Sequence, residues 1–198
     1  MKELFKEHFA KLFVFLLVGS VIYCNDKWKE SDIEMNKETT IAKITNKGRK
    51  NRVSYTFRYD GKWISGNDSG NGKAQVGEYY SVHFDRTNPK NSDIILGKKS
   101  INPLTLIDQG VDIQGTVKKI GYRSNTYVDL YISYQYDKET FEFRTRKHVD
   151  SLPCGKVPDC ENASITLKIS DYFPELNHLY FESHDRSKLR RELKLKFE

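Results

Sequence analysis

Hydrophobic and polar positions alternate along this chain in short runs, and most of the runs occur twice. Val53, Tyr55, Phe57 and Tyr59 are separated by Ser54, Thr56 and Arg58. That is the period-two pattern of a half-buried strand. Asp60-Gly61 then signals a two-residue hairpin turn, and residues 62–65 return as a second strand. Residues 41–44 predict an earlier strand, and residues 80–85 a later one. Asn88-Pro89 breaks the pattern, and residues 94–96 predict a short closing strand. The glycine-rich residues 66–72 read as a flexible loop.

The same order follows from about Asp112. Residues 113–120, 128–136, 141–144 and 165–169 predict strands. Phe173-Pro174 breaks the pattern, and residues 179–181 predict a closing strand. Leu189, Leu193 and Phe197 share a helical face, while Leu193, Leu195 and Phe197 alternate, so the tail fits either element.

The two series superimpose at fixed offsets. Val53, Tyr55, Phe57 and Tyr59 recur 77 positions later as Leu130, Ile132, Tyr134 and Tyr136. Val82, Phe84, Pro89, Ile94 and Ile95 recur 85 positions later as Leu167, Ile169, Pro174, Leu179 and Tyr180. The change of offset places an eight-residue insertion in the second copy, within residues 147–162. A repeat of this kind constrains architecture. The expected fold is mostly β, as two tandem small β-barrel or sandwich repeats behind an N-terminal hydrophobic helix.

That helix is expected from Lys2, Lys6 and Lys11, followed by residues 12–24, which carry no charge. A basic flank before 13 apolar or small residues suits a signal segment, a lipidated N-terminus or an uncleaved anchor. Cys24 ends the run as the acylated cysteine of a bacterial lipoprotein does, although Tyr23 precedes it where a small residue is usual. Lysines on the N-terminal flank orient the bulk of the chain away from the cytoplasm. The expected organisation is a membrane anchor or signal segment at 1–24, a polar stalk at 25–39, β-repeats at 40–96 and 112–182 with a linker at 97–111, and a basic tail at 183–198.

The hydrophobic fraction, 37%, is below that of an average globular domain and suits two small modules. The net charge of +6 is spread along the chain, so it favours anionic surfaces only weakly. Twelve Tyr, eleven Phe and two Trp could stack bases, but most fall on the apolar phase of predicted strands. No nucleic-acid partner is expected.

The order Tyr55-x-Phe57-x-Tyr59, Asp60-Gly61, Gly66, Val76-Gly77, Val82-x-Phe84-Asp85 and Asn88-Pro89 resembles a widespread family of bacterial membrane-associated small β-domains of unknown function. The second copy departs from it: Asp137 lacks a following Gly, no Val-Gly precedes Leu167, and Pro174 follows Phe173. The resemblance implies a β-fold at a membrane and brings no catalytic residues.

Candidate chemistry is sparse. A phosphate loop built on Gly72-Lys73 needs a glycine at 67 and a hydroxyl at 74, where Asn67 and Ala74 stand. Ser81, His83 and Asp85 share one polar strand face, but a strand spaces them too far apart for direct hydrogen bonds. Cys154 and Cys160 enclose five residues, as do His178 and His184. The four could hold zinc, but an exported inserted loop favours a Cys154–Cys160 disulfide. No catalytic residue, cofactor or metal is expected. The function expected is a non-enzymatic interaction module with a membrane and an unidentified protein as partners. The rivals are an immunity-type protein that neutralises a toxin at the envelope, and an envelope hydrolase.

Overall fold

A computed structural model describes residues 31–70 and 72–198, together with Ser20, Lys27 and Trp28. Cys24 and, apart from Ser20, the apolar run lie outside the described residues. Among the described residues no helix is long and apolar enough to cross a membrane.

The protein is mostly β, with two curled antiparallel sheets. The chain divides into two compact units. The first takes residues up to Tyr59 with Trp63–Val76 and Tyr80–Lys98, and the second Asp60–Lys62, Gly77–Tyr79 and Lys99–Glu198. Residues 31–35, expected to be part of a featureless stalk, are helical and bury Ile33.

The first sheet contains β1 (Lys37–Lys47), β2 (Arg52–Tyr59), β3 (Lys62–Ser69), β4 (Tyr79–Asp85) and β5 (Ser92–Ile94), in the order β3-β2-β1-β4-β5. Its core is the apolar phase of the alternating strands: Ile44, Val53, Tyr55, Phe57, Val82 and Phe84 are buried together. Phe84 lies 5.2 Å from Phe57 and 4.7 Å from Tyr59 between ring centres. The loop expected at 66–72 is instead strand as far as Ser69. A Cβ on Gly66 would lie 2.4 Å from the Tyr55 ring, so glycine is what lets β3 pass over that tyrosine. Curling brings the outer strands together: the Ile94 amide donates to Asp68 Oδ2 at 3.3 Å, and the hydroxyls of Tyr55 and Ser92 are 2.9 Å apart.

The second sheet contains β6 (Val111–Tyr122), β7 (Tyr127–Tyr136), β8 (Glu139–His148) and β9 (Ser164–Ile169), in the order β8-β7-β6-β9. This repeats the order β3-β2-β1-β4. The details repeat as well. Ile44 pairs with Tyr55 and Val117 with Ile132, and each pair is followed at once by a bulge. Asp60 and Gly61 have φ of 50° and 69°, and Asp137 and Lys138 have 52° and 68°. The second hairpin therefore makes the same left-handed two-residue turn without its glycine. Past the fourth strand, Phe84 opposes Ser92, and Ile169 opposes Asn177. The Asp85 and Ser170 amides donate to Asn91 and Leu176 carbonyls at 3.0 and 2.9 Å, and those of Asn91 and Leu176 to Asn88 and Phe173 at 2.8 Å each. Asn-Pro and Phe-Pro thus build one turn.

Three further segments form α-helices. The expected linker 97–111 contains helix α1 (Pro103–Asp108), capped by Asn102 and burying Leu106 and Ile107. The closing strand expected at 179–181 is helix α2 (His178–Phe181), because Asn177 caps it by accepting from the Tyr180 amide at 2.8 Å. Leu179 is still buried, as Ile94 is in the first copy. The tail is helix α3 (Ser187–Phe197).

The insertion between β8 and β9 is pinned by the disulfide Cys154–Cys160, whose Cα atoms are 5.1 Å apart. Cys160 is buried with Leu152 in the second core. Breaking the bond should cost roughly 2 kcal/mol by chain entropy, since the loop is short. Urea denaturation with and without reductant checks this. Thiol reagents should leave both cysteines unlabelled in the intact, non-reduced protein.

Candidate functional site

The second sheet carries a cluster of charges around a buried carboxylate. Asp129 sits on the polar phase of β7, yet its side chain has no solvent exposure. The Asp137-Lys138 turn sets the register that places Asp129 opposite Arg146 and Tyr131 opposite Arg144. The β6–β7 hairpin has four more residues past its bulge than β1–β2 has and brings in a third arginine. Arg123 Nε donates to Asp129 Oδ2 at 2.5 Å, Arg144 Nη1 to Oδ1 at 3.0 Å, and Arg146 Nε to Oδ1 at 2.8 Å. Arg146 Nη2 adds a bond to Oδ2 at 3.3 Å. Burial opposes ionisation of Asp129, but the bonds from Arg146 and Arg123 and the charge of Arg144 outweigh it and hold the carboxyl at about 2.

A second carboxylate extends the network. Arg144 also donates to Asp185, which accepts from Ser183 Oγ at 2.5 Å. Burial again works against ionisation of Asp185, and the bonds from Ser183 and Arg144 overcome it, lowering its pKa. The Arg186 guanidinium lies 3.8 Å from the Tyr180 ring centre and donates to the carbonyls of Arg144 and Tyr180, each at 3.2 Å.

The segment carrying Asp185 and Arg186 also closes the sheet. Arg146 N donates to Ser183 Oγ at 2.7 Å, and Thr145 Oγ1 to the Leu179 carbonyl at 2.6 Å. On the other edge, Lys168 N donates to His178 Nδ1 at 3.0 Å. Residues 178–183 therefore satisfy groups on both β8 and β9, the two edge strands.

Among the hollows that flank the arginines, two lie against β8. One, of about 260 Å³, lies beside Tyr131, Ser133, Glu142 and Arg144. Lys119 Nζ is 5.8 Å from the Tyr131 ring centre, and Tyr122, next to Arg123 at the end of β6, is 74% exposed. The other is an open cleft of about 390 Å³ between the end of β8 and the start of α3, with Tyr127 in its wall. Tyr127 packs between two imidazoles, His148 at 5.2 Å and His184 at 4.2 Å.

The residues singled out from sequence fall elsewhere. Ser81, His83 and Asp85 are not brought together as a catalytic group. His83 Nδ1 is 2.8 Å from Thr39 Oγ1, and burial with Lys37 and Lys98 lowers its pKa. Asp85, expected on a solvated face, is buried and accepts from the Thr87 amide and hydroxyl, each at 2.8 Å. His178 and His184 are engaged with Lys168 N and the Tyr127 ring, and both cysteines are in the disulfide. Among the described residues no group of three or more His, Cys, Asp or Glu is placed to hold a metal ion.

The arginine cluster is the feature that sequence reasoning missed. The chain reads as diffusely basic, whereas the hairpin register gathers Arg144 and Arg146 on one face around Asp129. Compared with models of protein families, with curated proteins and with solved structures, the chain matches none.

Proposed function

We propose that the protein is a non-enzymatic interaction module, tethered to a bacterial membrane by its N-terminal apolar run with its bulk on the extracytoplasmic side. In this reading it is built from two tandem copies of one small β-barrel or sandwich. The first copy acts as scaffold and the second presents the binding face.

The observation that carries the reading is the asymmetry between the copies. By the 77-residue offset Asp129 corresponds to Arg52, an exposed residue, and Arg144 and Arg146 to Asn67 and Ser69, so the residues of the cluster are not repeated at the corresponding positions. A buried carboxylate holding three guanidinium groups fixes their positions on a surface, which lowers the entropy lost when a partner docks. Tyr122, Tyr131 and the arginines are residue types that dominate binding energy at interfaces. The disulfide supports an oxidising compartment. The run at 12–24 and the resemblance to membrane-associated β-domains support the tether.

Photo-crosslinking tests the reading. A benzoylphenylalanine at Tyr131 should give discrete high-mass adducts in intact membranes, and one at Lys62 in the first sheet should give few. Adducts of equal yield from both sites, or none from Tyr131, would count against it.

A further inference from the structure

We propose that the cleft at the end of β8 binds a phosphoryl group, as inorganic phosphate or a compact phosphomonoester. This rests on the reading of the second copy as the binding copy, and it adds a ligand class to it. Three permanent cations line the cleft, Arg146, Lys147 and Arg190, with one carboxylate, Glu182, and Arg146 is already held by Asp129. Glu182 is already engaged, since Lys147 Nζ donates to its Oε2 at 2.8 Å. Arg190 is half-buried and has no ionic partner among the described residues. A guanidinium in a cleft with unused donors is suited to a phosphate oxygen.

The other donors approach from different sides. His148 extends from the end of β8, where its Nδ1 accepts from the Asp150 amide at 3.2 Å, leaving Nε2 as the second ring nitrogen. His184 stands across Tyr127 from it, and Ser151 and Ser187 add hydroxyls. A tetrahedral oxyanion accepts from several directions at once. The charge pattern of α3 points the same way. Its first turn contains no acidic residue, has no side-chain cap, and places Lys188 and Arg190 near the positive end of the helix dipole. An anion in the cleft relieves that arrangement. The volume, about 390 Å³, is that of a small-molecule site.

The test is an amide NMR titration of the full chain in neutral detergent with sodium phosphate, against sodium chloride at matched ionic strength. The expected result is saturable shifts at Tyr127, His148, Ser187 and Arg190 with phosphate alone. Arg190→Gln should weaken binding about tenfold or more, and Arg190→Lys should recover part of the loss. Unchanged spectra outside the cleft show that the variants remain folded, and His184→Gln serves as a second variant should Arg190→Gln perturb α3. Glycerol phosphate forms a parallel arm. Tighter binding than inorganic phosphate assigns the site to an esterified phosphate such as a lipid headgroup, and equal or weaker binding assigns it to the free ion. Equal shifts with chloride, or Arg190→Gln and His184→Gln both titrating like the parent, would overturn the proposal. Adducts at Tyr131 without phosphate binding would leave the interaction module standing and remove only this ligand.

Discussion

Replacing Asp129 with Asn should lower stability by about 3–5 kcal/mol, the usual cost of removing one partner from a buried ionic group. The carboxylate has no solvent exposure and neutralises guanidinium groups that approach from three backbone positions, Arg123, Arg144 and Arg146. An amide keeps the volume but removes the charge and one acceptor, so the arginines repel one another across a partly buried site. Chemical denaturation, read by the midpoint at constant slope, checks the size. The pH dependence has a definite sign. Asp129 is held at about 2 in the folded protein, below the ordinary value near 3.9 of the unfolded chain. Its stabilising contribution is therefore complete above about pH 4 and is lost as pH falls through about 2, amounting to roughly 2 kcal/mol. The Asp129→Asn variant should lose that acid-dependent component. A variant as stable as the parent, with the same acid profile, would mean that the cluster does not hold the sheet.

Phe84→Ala should cost about 3–5 kcal/mol, as expected for truncating a buried phenylalanine. Phe84 is 1% exposed and packs its ring against Phe57 and Tyr59, so little of the cavity can be filled by relaxation. Its counterpart in the second copy is Ile169, which is fully buried. Ile169→Ala should cost about 2–5 kcal/mol. Large losses at both positions are expected because both point into a core at the same step of the fourth strand. Denaturation of the two single variants measures this, and a near-neutral effect at either would break the equivalence of the copies.

The strands were legible because period-two alternation and turn residues determine them locally. Residues 53–57 and 128–134 bury the side chains that their apolar phase indicates. The repeat was legible for the same reason, since core positions return at fixed offsets. Other features were hidden. Residues 66–69 look like loop by composition, but β3 needs Gly66 to clear Tyr55, a long-range contact that no local pattern reveals. Residues 179–181 carry the apolar pattern of the first copy's closing strand, and the Asn177 cap turns them into helix. The arginine cluster was concealed by the turn that creates it. Asp137-Lys138 lacks the glycine of a strong hairpin signal, so the register pairing Asp129 with Arg146 was not drawn. With that turn accepted, two residues on the polar phase of β8 fall beside a carboxylate on the polar phase of β7, and the charged face follows from counting.

Membrane extraction tests the central claim, a tethered module, most directly. Full-length protein and a chain comprising residues 27–198 would be produced in the same bacterial host, and the membranes washed in alkaline carbonate. The full-length protein should stay with the washed membranes, because burying the apolar run at 12–24 is favourable. Residues 27–198 should be released to the supernatant. Full-length protein recovered in the soluble fraction would contradict it.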